Sequence, residues 1–169
     1  MSQDRSSDQT EETQKEHNQQ HNPTPAQDNA QLVLEKFKIR YAKPNDIPFI
    51  KKTFLYALYN GSLDWHRMNK QDFMKEYSRV LDMILTNPEV FVKIAHLPDD
   101  EDIIISYSIV QYKELFNILH FVYTKKMWRG QRAHLKLLPE KFDYYTHITK
   151  QWLAIMPPNT TYNPFMIGR

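Results

Sequence analysis

The sequence contains no cysteine and only three glycines among its 169 residues. Without cysteine the chain has no disulfide framework, no thiolate chemistry and no cysteine-based zinc site. No run of about 18 apolar residues is present, which is the length that a membrane-spanning helix needs. No apolar segment near the N-terminus resembles a signal peptide. We therefore expect a cytoplasmic protein that makes no contact with a membrane.

Several catalytic motifs are also missing. The chain has no Walker-type glycine loop, no His-Glu-x-x-His metal motif and no Gly-x-Ser-x-Gly elbow. Its seven histidines are dispersed, and the acidic segment 98–102 lacks the ligand spacing and the central glycine of a calcium loop. We predict no metal site, and we interpret residues 98–102 as the solvated tip of a hairpin.

The first 31 residues differ sharply in composition from the rest. Apart from Met1 they contain no aliphatic or aromatic side chain larger than alanine, and they carry a net charge of −4. Such a segment cannot bury enough apolar surface to offset its ordering entropy. We predict a disordered polar and acidic tail at 1–31, and a single domain at 32–169. A tail of this kind is also compatible with an arm that orders on a protein partner.

The periodicity of apolar residues predicts a mixed α/β fold. Alternation indicates strands, and spacing of three and four indicates helices. Consecutive strands with tight turns pair antiparallel, and a strand after a crossover helix tends to be parallel. We predict a mixed, mostly antiparallel sheet flanked by helices, ending in a turn-like segment. Strands are predicted at 37–41, 90–95, 103–112, 116–124 and 143–148, and helices at 47–58, 69–86, 130–138 and 150–156.

The most informative stretch is 119–138, where an apolar strand leads through a basic turn into an amphipathic segment. A helix that begins after such a turn offers backbone N–H groups and its dipole to an anion. The rest of the domain carries a net charge of about +6, which favours an anionic partner, although surplus surface lysines are the simpler explanation. The basic cluster at 125–136 beside Tyr123 and Trp128 is compatible with nucleic acid. A cofactor-binding turn is the simpler account, so we expect no nucleic acid partner.

Three segments resemble the GCN5-related N-acetyltransferase (GNAT) family. Residues 39–47 look like the first strand and turn of the family, with its "I-R-x-A-x-x-x-D" pattern. Residues 92–95 and 104–107 look like the central hairpin, with Ser106 in place of a common glycine. Residues 119–138 look like the acetyl-CoA-binding motif. The C-terminal segments 146–150 and 162–165 are similar to GNAT-like proteins of tailed bacteriophages.

The resemblance implies roles for particular residues. Phe121, Val122 and Tyr123 would pair with the pantetheine arm of acetyl-CoA. The turn that would wrap the pyrophosphate corresponds to Arg129, Gly130, Gln131, Arg132, Ala133 and His134. The family pattern has glycine where Arg132 stands, and glycine or alanine where His134 stands. Among candidate catalytic groups, His120 matches a position where a base can reside, and Tyr162 is the nearest candidate for the acid.

The exchanged glycines leave two functions open. Side chains at 132 and 134 can obstruct the phosphates, whereas the guanidinium of Arg132 can bind them through its own donors. We favour a phage-encoded, non-catalytic virion or assembly protein that interacts through residues 1–31. The alternative is an acetyl-CoA-dependent N-acetyltransferase that acts on a small amine or a host protein. Acetyl-CoA is therefore either a retained ligand or a lost one.

Overall fold

Six β-strands lie in sequence order across one sheet in the residues that the computed structural model describes, 36–62 and 64–168. The predicted tail at 1–31 lies outside this range. The strands are β1 (Lys38–Tyr41), β2 (Val90–Leu97), β3 (Asp100–Tyr112), β4 (Asn117–Thr124), β5 (Tyr144–Tyr145) and β6 (Thr161–Tyr162). The helices are α1 (Ile47–Gly61), α2 (Lys70–Leu85) and the short α3 (Lys150–Leu153).

The pairing of these strands confirms the predicted fold class. The pairs β1–β2, β2–β3 and β3–β4 are antiparallel, and the pairs β4–β5 and β5–β6 are parallel. Each parallel step follows a connection of more than a dozen residues, 125–143 before β5 and 146–160 before β6, as a crossover requires. No helix in the described ranges is both long and apolar enough to cross a membrane.

Helices α1 and α2 cover one face of the sheet and enclose the main core. The side chain of Asn69 begins α2 by accepting hydrogen bonds from the N–H groups of Gln71 and Asp72, at 2.8 and 3.3 Å. The apolar side chains that recur at helical spacing along α2 are buried or packed against the buried cluster. The buried ones are Phe73, Leu81 and Ile84.

Short turns cover the opposite face of the sheet. The prediction of a helix at 130–138 in this region is wrong. Only a single turn of 3-10 helix forms there, at Ala133–Lys136. Gly130 and Arg132 both adopt left-handed backbone, with φ of 82° and 57°, and Pro139 follows closely. A left-handed residue before the turn and a proline after it leave no room for an α-helix.

The strand predicted at 143–148 is shorter than expected, because only Tyr144 and Tyr145 pair with β4. The last ladder bond joins the N–H of Thr146 to the carbonyl of Leu119 at 3.2 Å. Beyond it, the ring of His147 takes the next carbonyl, that of His120, through Nδ1 at 2.8 Å. The ring of His147, and not its backbone, therefore contacts β4 at this point, and β4 and β5 separate there.

In the "I-R-x-A-x-x-x-D" segment, the arginine and the aspartate, Arg40 and Asp46, form an ion pair. The guanidinium of Arg40 donates two hydrogen bonds to Asp46, at 2.6 and 3.0 Å, and a third to the carbonyl of Glu101 at 2.8 Å. Asp46 also accepts from the N–H of Lys43 at 2.6 Å. Its carboxylate makes no capping hydrogen bond to α1. It joins β1 to the start of α1, and the hydrogen bonds from Arg40 lower its pKa.

Candidate functional site

A cavity of about 580 Å³ opens where β4 and β5 separate. The last four residues of β4, 121–124, pair with β3 on one side. On the other side they border this space, because β5 ends at Tyr145. We call this space the large cavity. At residues 121–124, one edge of β4 therefore borders the large cavity and does not pair with β5.

Four segments of the chain build the walls of the large cavity. They are one side of α1, the end of β4, the turn at 128–134, and the segment around α3. The lining residues are Lys52, Thr53, Tyr56, Ala57, Asn60, Gly61, Phe121, Val122, Tyr123, Thr124, Trp128, Arg129, Gly130, His134, Thr149, Gln151, Trp152 and Ile155.

Gly61 allows α1 to end directly against the start of α3. A Cβ atom at this position would lie 3.1 Å from Oε1 of Gln151 and 3.2 Å from Cβ of Thr149. Both contacts are tighter than ordinary van der Waals packing. The glycine therefore brings two walls of the large cavity together, and any side chain there would push them apart.

The predicted cofactor residues divide into two groups. Phe121, Val122, Tyr123, Arg129, Gly130 and His134 line the large cavity. Gln131, Arg132 and Ala133 do not. Ala133 is buried in a cluster with Ala95 and Ile105, while Arg132 is exposed. Their proposed contacts with a cofactor stay predictions.

Sequence reasoning missed the wall that α1 contributes. Lys52, Tyr56 and Asn60 are spaced by four residues and lie beside the stripe that α1 buries against the sheet. A second stripe on a half-buried helix is a usable signal. It could not be read as part of a site, because nothing in the sequence shows that α1 faces the end of β4.

The charge of the lining is one-sided. Lys52 and Arg129 supply positive charge, and no carboxylate is among the lining residues. His134 is half-buried, and its pKa is lowered first by burial and then by the nearby charge of Arg132. Burial raises the pKa of Tyr123. The large cavity therefore suits a ligand that is anionic in one part and apolar in another.

The backbone of the turn at 128–134 has some donors in use and some without a backbone acceptor. The N–H groups of Trp128, Arg129 and Gln131 bond within the turn. The N–H groups of Gly130, Arg132 and Ala133 donate to no backbone carbonyl among the described residues. The left-handed φ values at 130 and 132 set this arrangement.

Replacing Arg132 by glycine should stabilise the fold by about 1 kcal/mol. A side chain at positive φ costs roughly 1–2 kcal/mol, of which the greater chain entropy of glycine takes back a part. Denaturant unfolding measures the change. Arg132→Ala keeps the strained backbone and should bring no gain, so equal stabilisation by both variants would contradict the strain.

The two predicted catalytic residues both lie outside the large cavity. His120 is only 1% exposed, and burial lowers its pKa to about 4. Tyr162 lies in β6, is 44% exposed and packs its ring 5.5 Å from that of Tyr145. Neither side chain lines the walls, and their catalytic roles stay predictions.

His120 belongs to a buried hydrogen-bond chain that sequence reasoning did not find. Gln111 donates from Nε2 to Glu89 at 3.0 Å, so its Oε1 faces Nε2 of His120 at 3.1 Å and accepts from it. Nδ1 of His120 is then an acceptor, and the hydroxyl of Thr146 donates to it at 3.0 Å.

His147 completes this chain. Its Nδ1 lies 2.8 Å from the carbonyl of His120, which can only accept, so Nδ1 carries the proton. Burial lowers the pKa of His147 to about 3, and its Nε2 is buried without a partner. Both histidines are therefore neutral with assigned tautomers. Within the described residues no group of three or more potential ligands could hold a metal ion.

Comparison with known proteins gives matches in structure alone. No protein-family model matches the sequence, and no curated protein matches it significantly. A possible acetyltransferase from Clostridium difficile 630 is similar at TM-score 0.42 and 17% identity, over 60% of this chain and 66% of that one. A structure of histone acetyltransferase HPA2 and related acetyltransferase from Corynebacterium glutamicum is similar at TM-score 0.45 and 16% identity, over 60% of this chain and 68% of that one. A transcriptional regulator from Bacillus halodurans C-125 is similar at TM-score 0.40 and 18% identity, over 59% of this chain and 67% of that one.

These similarities cover about two thirds of the length of the compared proteins. The identities are below 20% and the TM-scores below 0.5, so they carry no information on what this chain binds. They agree with the fold class that the sheet itself displays.

Proposed function

We propose that the chain binds an acyl-coenzyme A in the large cavity and transfers its acyl group, acetyl in the simplest case, to an amine. The observation that carries the proposal is the free edge of β4 at residues 121–124 beside an apolar, positively charged cavity. A strand edge offers N–H and C=O groups in a row, which suits a ligand with amides of its own. The pantetheine arm of coenzyme A has two such amides.

The charge of the lining supports an anionic end of the same ligand. Lys52 and Arg129 lie at the walls, the described lining residues include no carboxylate, and the N–H of Gly130, beside Arg129, has no backbone acceptor among the described residues. Phosphates are bound by this combination of guanidinium and backbone donors. The GNAT resemblance places the pyrophosphate at this same turn.

The chain's own contribution to the reaction is positioning. The neutral amine nitrogen attacks the thioester carbonyl carbon, a C–N bond forms as the C–S bond breaks, and coenzyme A leaves as its thiolate. The proton that the amine gives up goes to solvent, which also protonates the thiolate. No lining carboxylate is present to hold an ammonium group in its charged form. We therefore expect the amine to arrive neutral or to give its proton to solvent, with the walls aligning the two reactants.

Acetyl-CoA at 100 times its Kd should stabilise the protein against unfolding by about 2.7 kcal/mol. Ala57→Trp should abolish the effect, because the indole ring would fill the cavity beside β4. Lys75→Trp adds the same ring on an exposed part of α2 and is the matched control. Thermal unfolding with and without ligand, followed by titration calorimetry, measures the effect. No stabilisation of the wild type at millimolar acetyl-CoA would refute the proposal.

Arg129→Ala should weaken acetyl-CoA binding about tenfold, which corresponds to the loss of one charged contact. An unchanged affinity would show that the phosphates lie elsewhere. The role first favoured, a phage virion or assembly protein that docks through residues 1–31, gains no support from the described residues. It stays a prediction that concerns a part of the chain outside them.

A further inference from the structure

His134 occupies a position in the large cavity that the acetyl-CoA-binding motif gives to a glycine or an alanine. It lies in the 3-10 turn Ala133–Lys136, and its side chain lines the cavity together with Arg129 and Gly130. The turn is too short to supply the N-terminal dipole of an α-helix. Phosphate groups at this wall therefore depend on side chains more than the motif implies.

Among the described residues, the titratable groups that line the cavity with His134 are all neutral or positive. Arg132 acts on it from the same turn, and Arg129 lines the same wall. Across the cavity the titratable lining groups are Lys52 and Tyr56 of α1 and Tyr123 of β4, and α3 contributes none. No lining carboxylate can compensate a proton on the ring. The free site therefore holds His134 neutral, in keeping with the lowered pKa produced by burial and Arg132.

We propose that His134 binds the pyrophosphate of the coenzyme A ligand and takes up a proton as it does so. This inference rests on the proposed function. A phosphate beside the ring supplies the missing negative charge, so the protonated form becomes favoured in the complex. A histidinium also gives a charged N–H donor, which binds a phosphate more strongly than a neutral one.

The sign of the pH effect follows from linkage. The ring is neutral in the free protein and protonated in the complex, so binding consumes a proton near neutral pH. Affinity then rises as the pH falls through the interval between the two pKa values. A solvent-accessible side chain that only fills space at position 134 would give no such dependence.

Dephospho-coenzyme A is the probe, because it lacks the phosphomonoester, whose own pKa near 6 would interfere. Titration calorimetry at pH 7 in two buffers of different ionisation enthalpy counts the protons taken up. We expect the uptake to approach one proton for the wild type. Its affinity should rise by well over tenfold between pH 8 and pH 6, toward the roughly hundredfold limit that one full proton sets over two pH units.

Two variants separate proton uptake from binding. His134→Gln keeps a hydrogen-bond donor that cannot titrate, and it should remove both the uptake and the pH dependence. Arg129→Gln should weaken binding equally at every pH and keep the dependence, because arginine stays charged throughout.

The outcomes distinguish this inference from the proposed function. Binding without proton uptake by the wild type, or uptake that persists in His134→Gln, would overturn the role of His134 and leave the proposed function intact. If the wild type binds neither dephospho-coenzyme A nor acetyl-CoA at any pH, both fail. The wild-type measurement decides the question even where the variant is unstable.

Discussion

Acidification from pH 7 to pH 4.5 is expected to lower the free energy of unfolding by about 5 kcal/mol. The folded protein holds His120 and His147 neutral, with pKa values lowered to about 4 and about 3. In the unfolded chain both titrate near 6.5, so the unfolded state binds more protons below that pH. Each histidine then contributes roughly 2.5 kcal/mol over this interval. Such a loss is a large part of the stability of a domain of this size.

Denaturant unfolding between pH 7 and pH 4.5 measures this loss. His147→Asn places an amide donor near the position of Nδ1 and removes the titrating ring, so about half of the acid sensitivity should disappear. His66→Asn replaces an exposed histidine and is the matched control, which should follow the wild-type profile. A steep loss that is unchanged in His147→Asn would contradict the role of the buried histidines. Asp46 and other carboxylates with lowered pKa act mainly below this interval.

Arg40→Ala should destabilise the protein by about 3 kcal/mol. The side chain of Arg40 is only 12% exposed and that of its partner Asp46 only 9%. Removing the guanidinium leaves a buried carboxylate that keeps the hydrogen bond from the N–H of Lys43 but has lost its ion-pair partner. It also frees the carbonyl of Glu101, so β1, the start of α1 and the first residues of β3 lose a common contact.

Arg79→Ala is the matched control for this loss. Arg79 pairs with Glu76 one turn away on α2, and the two side chains are 69% and 54% exposed. Pairs of this kind contribute less than about 0.5 kcal/mol. Equal destabilisation by both variants, measured by denaturant unfolding at pH 7, would show that the burial of the Arg40 pair has no special effect.

The long elements of the fold follow from local pattern, and the sequence predicts them well. α2 has an asparagine cap, an apolar stripe and a proline after its end, and its bounds match within one residue. The bounds of β4 agree equally well with its apolar run. Each of these elements is longer than one period of its pattern, so periodicity alone identifies it.

The C-terminal third departs from local pattern because tertiary contacts decide it. The amphipathic spacing at 130–138 is real, but Arg132 takes a left-handed conformation that glycine ordinarily occupies. In the β-rich run at 143–148 only Tyr144 and Tyr145 pair with β4, and His147 contacts β4 through its ring. Neither the backbone angle of an arginine nor the partner of a histidine ring can be read from sequence.

The candidate site shows the same division. The motif resemblance identified residues on β4 and on the turn, and six of the nine line the large cavity. The contributions of α1 and of residues 149–155 required the fold, because these segments are far apart in sequence. Arg132 and Gln131 match the motif by position, yet the altered turn directs that stretch away from the cavity walls.

The short pairing between β4 and β5 has a consequence for how the molecule holds together. β1 to β4 are joined by ladders of four or more residue pairs, whereas β5 and β6 are attached through two pairs each. The strands β5 and β6 are therefore held less firmly than β1 to β4, and local unfolding is expected mainly in β5 and β6. The large cavity lies on the boundary between the firmly held part of the fold and the weakly held one. A molecule that fills it contacts both parts, so ligand occupancy and the docking of the C-terminal third are coupled equilibria.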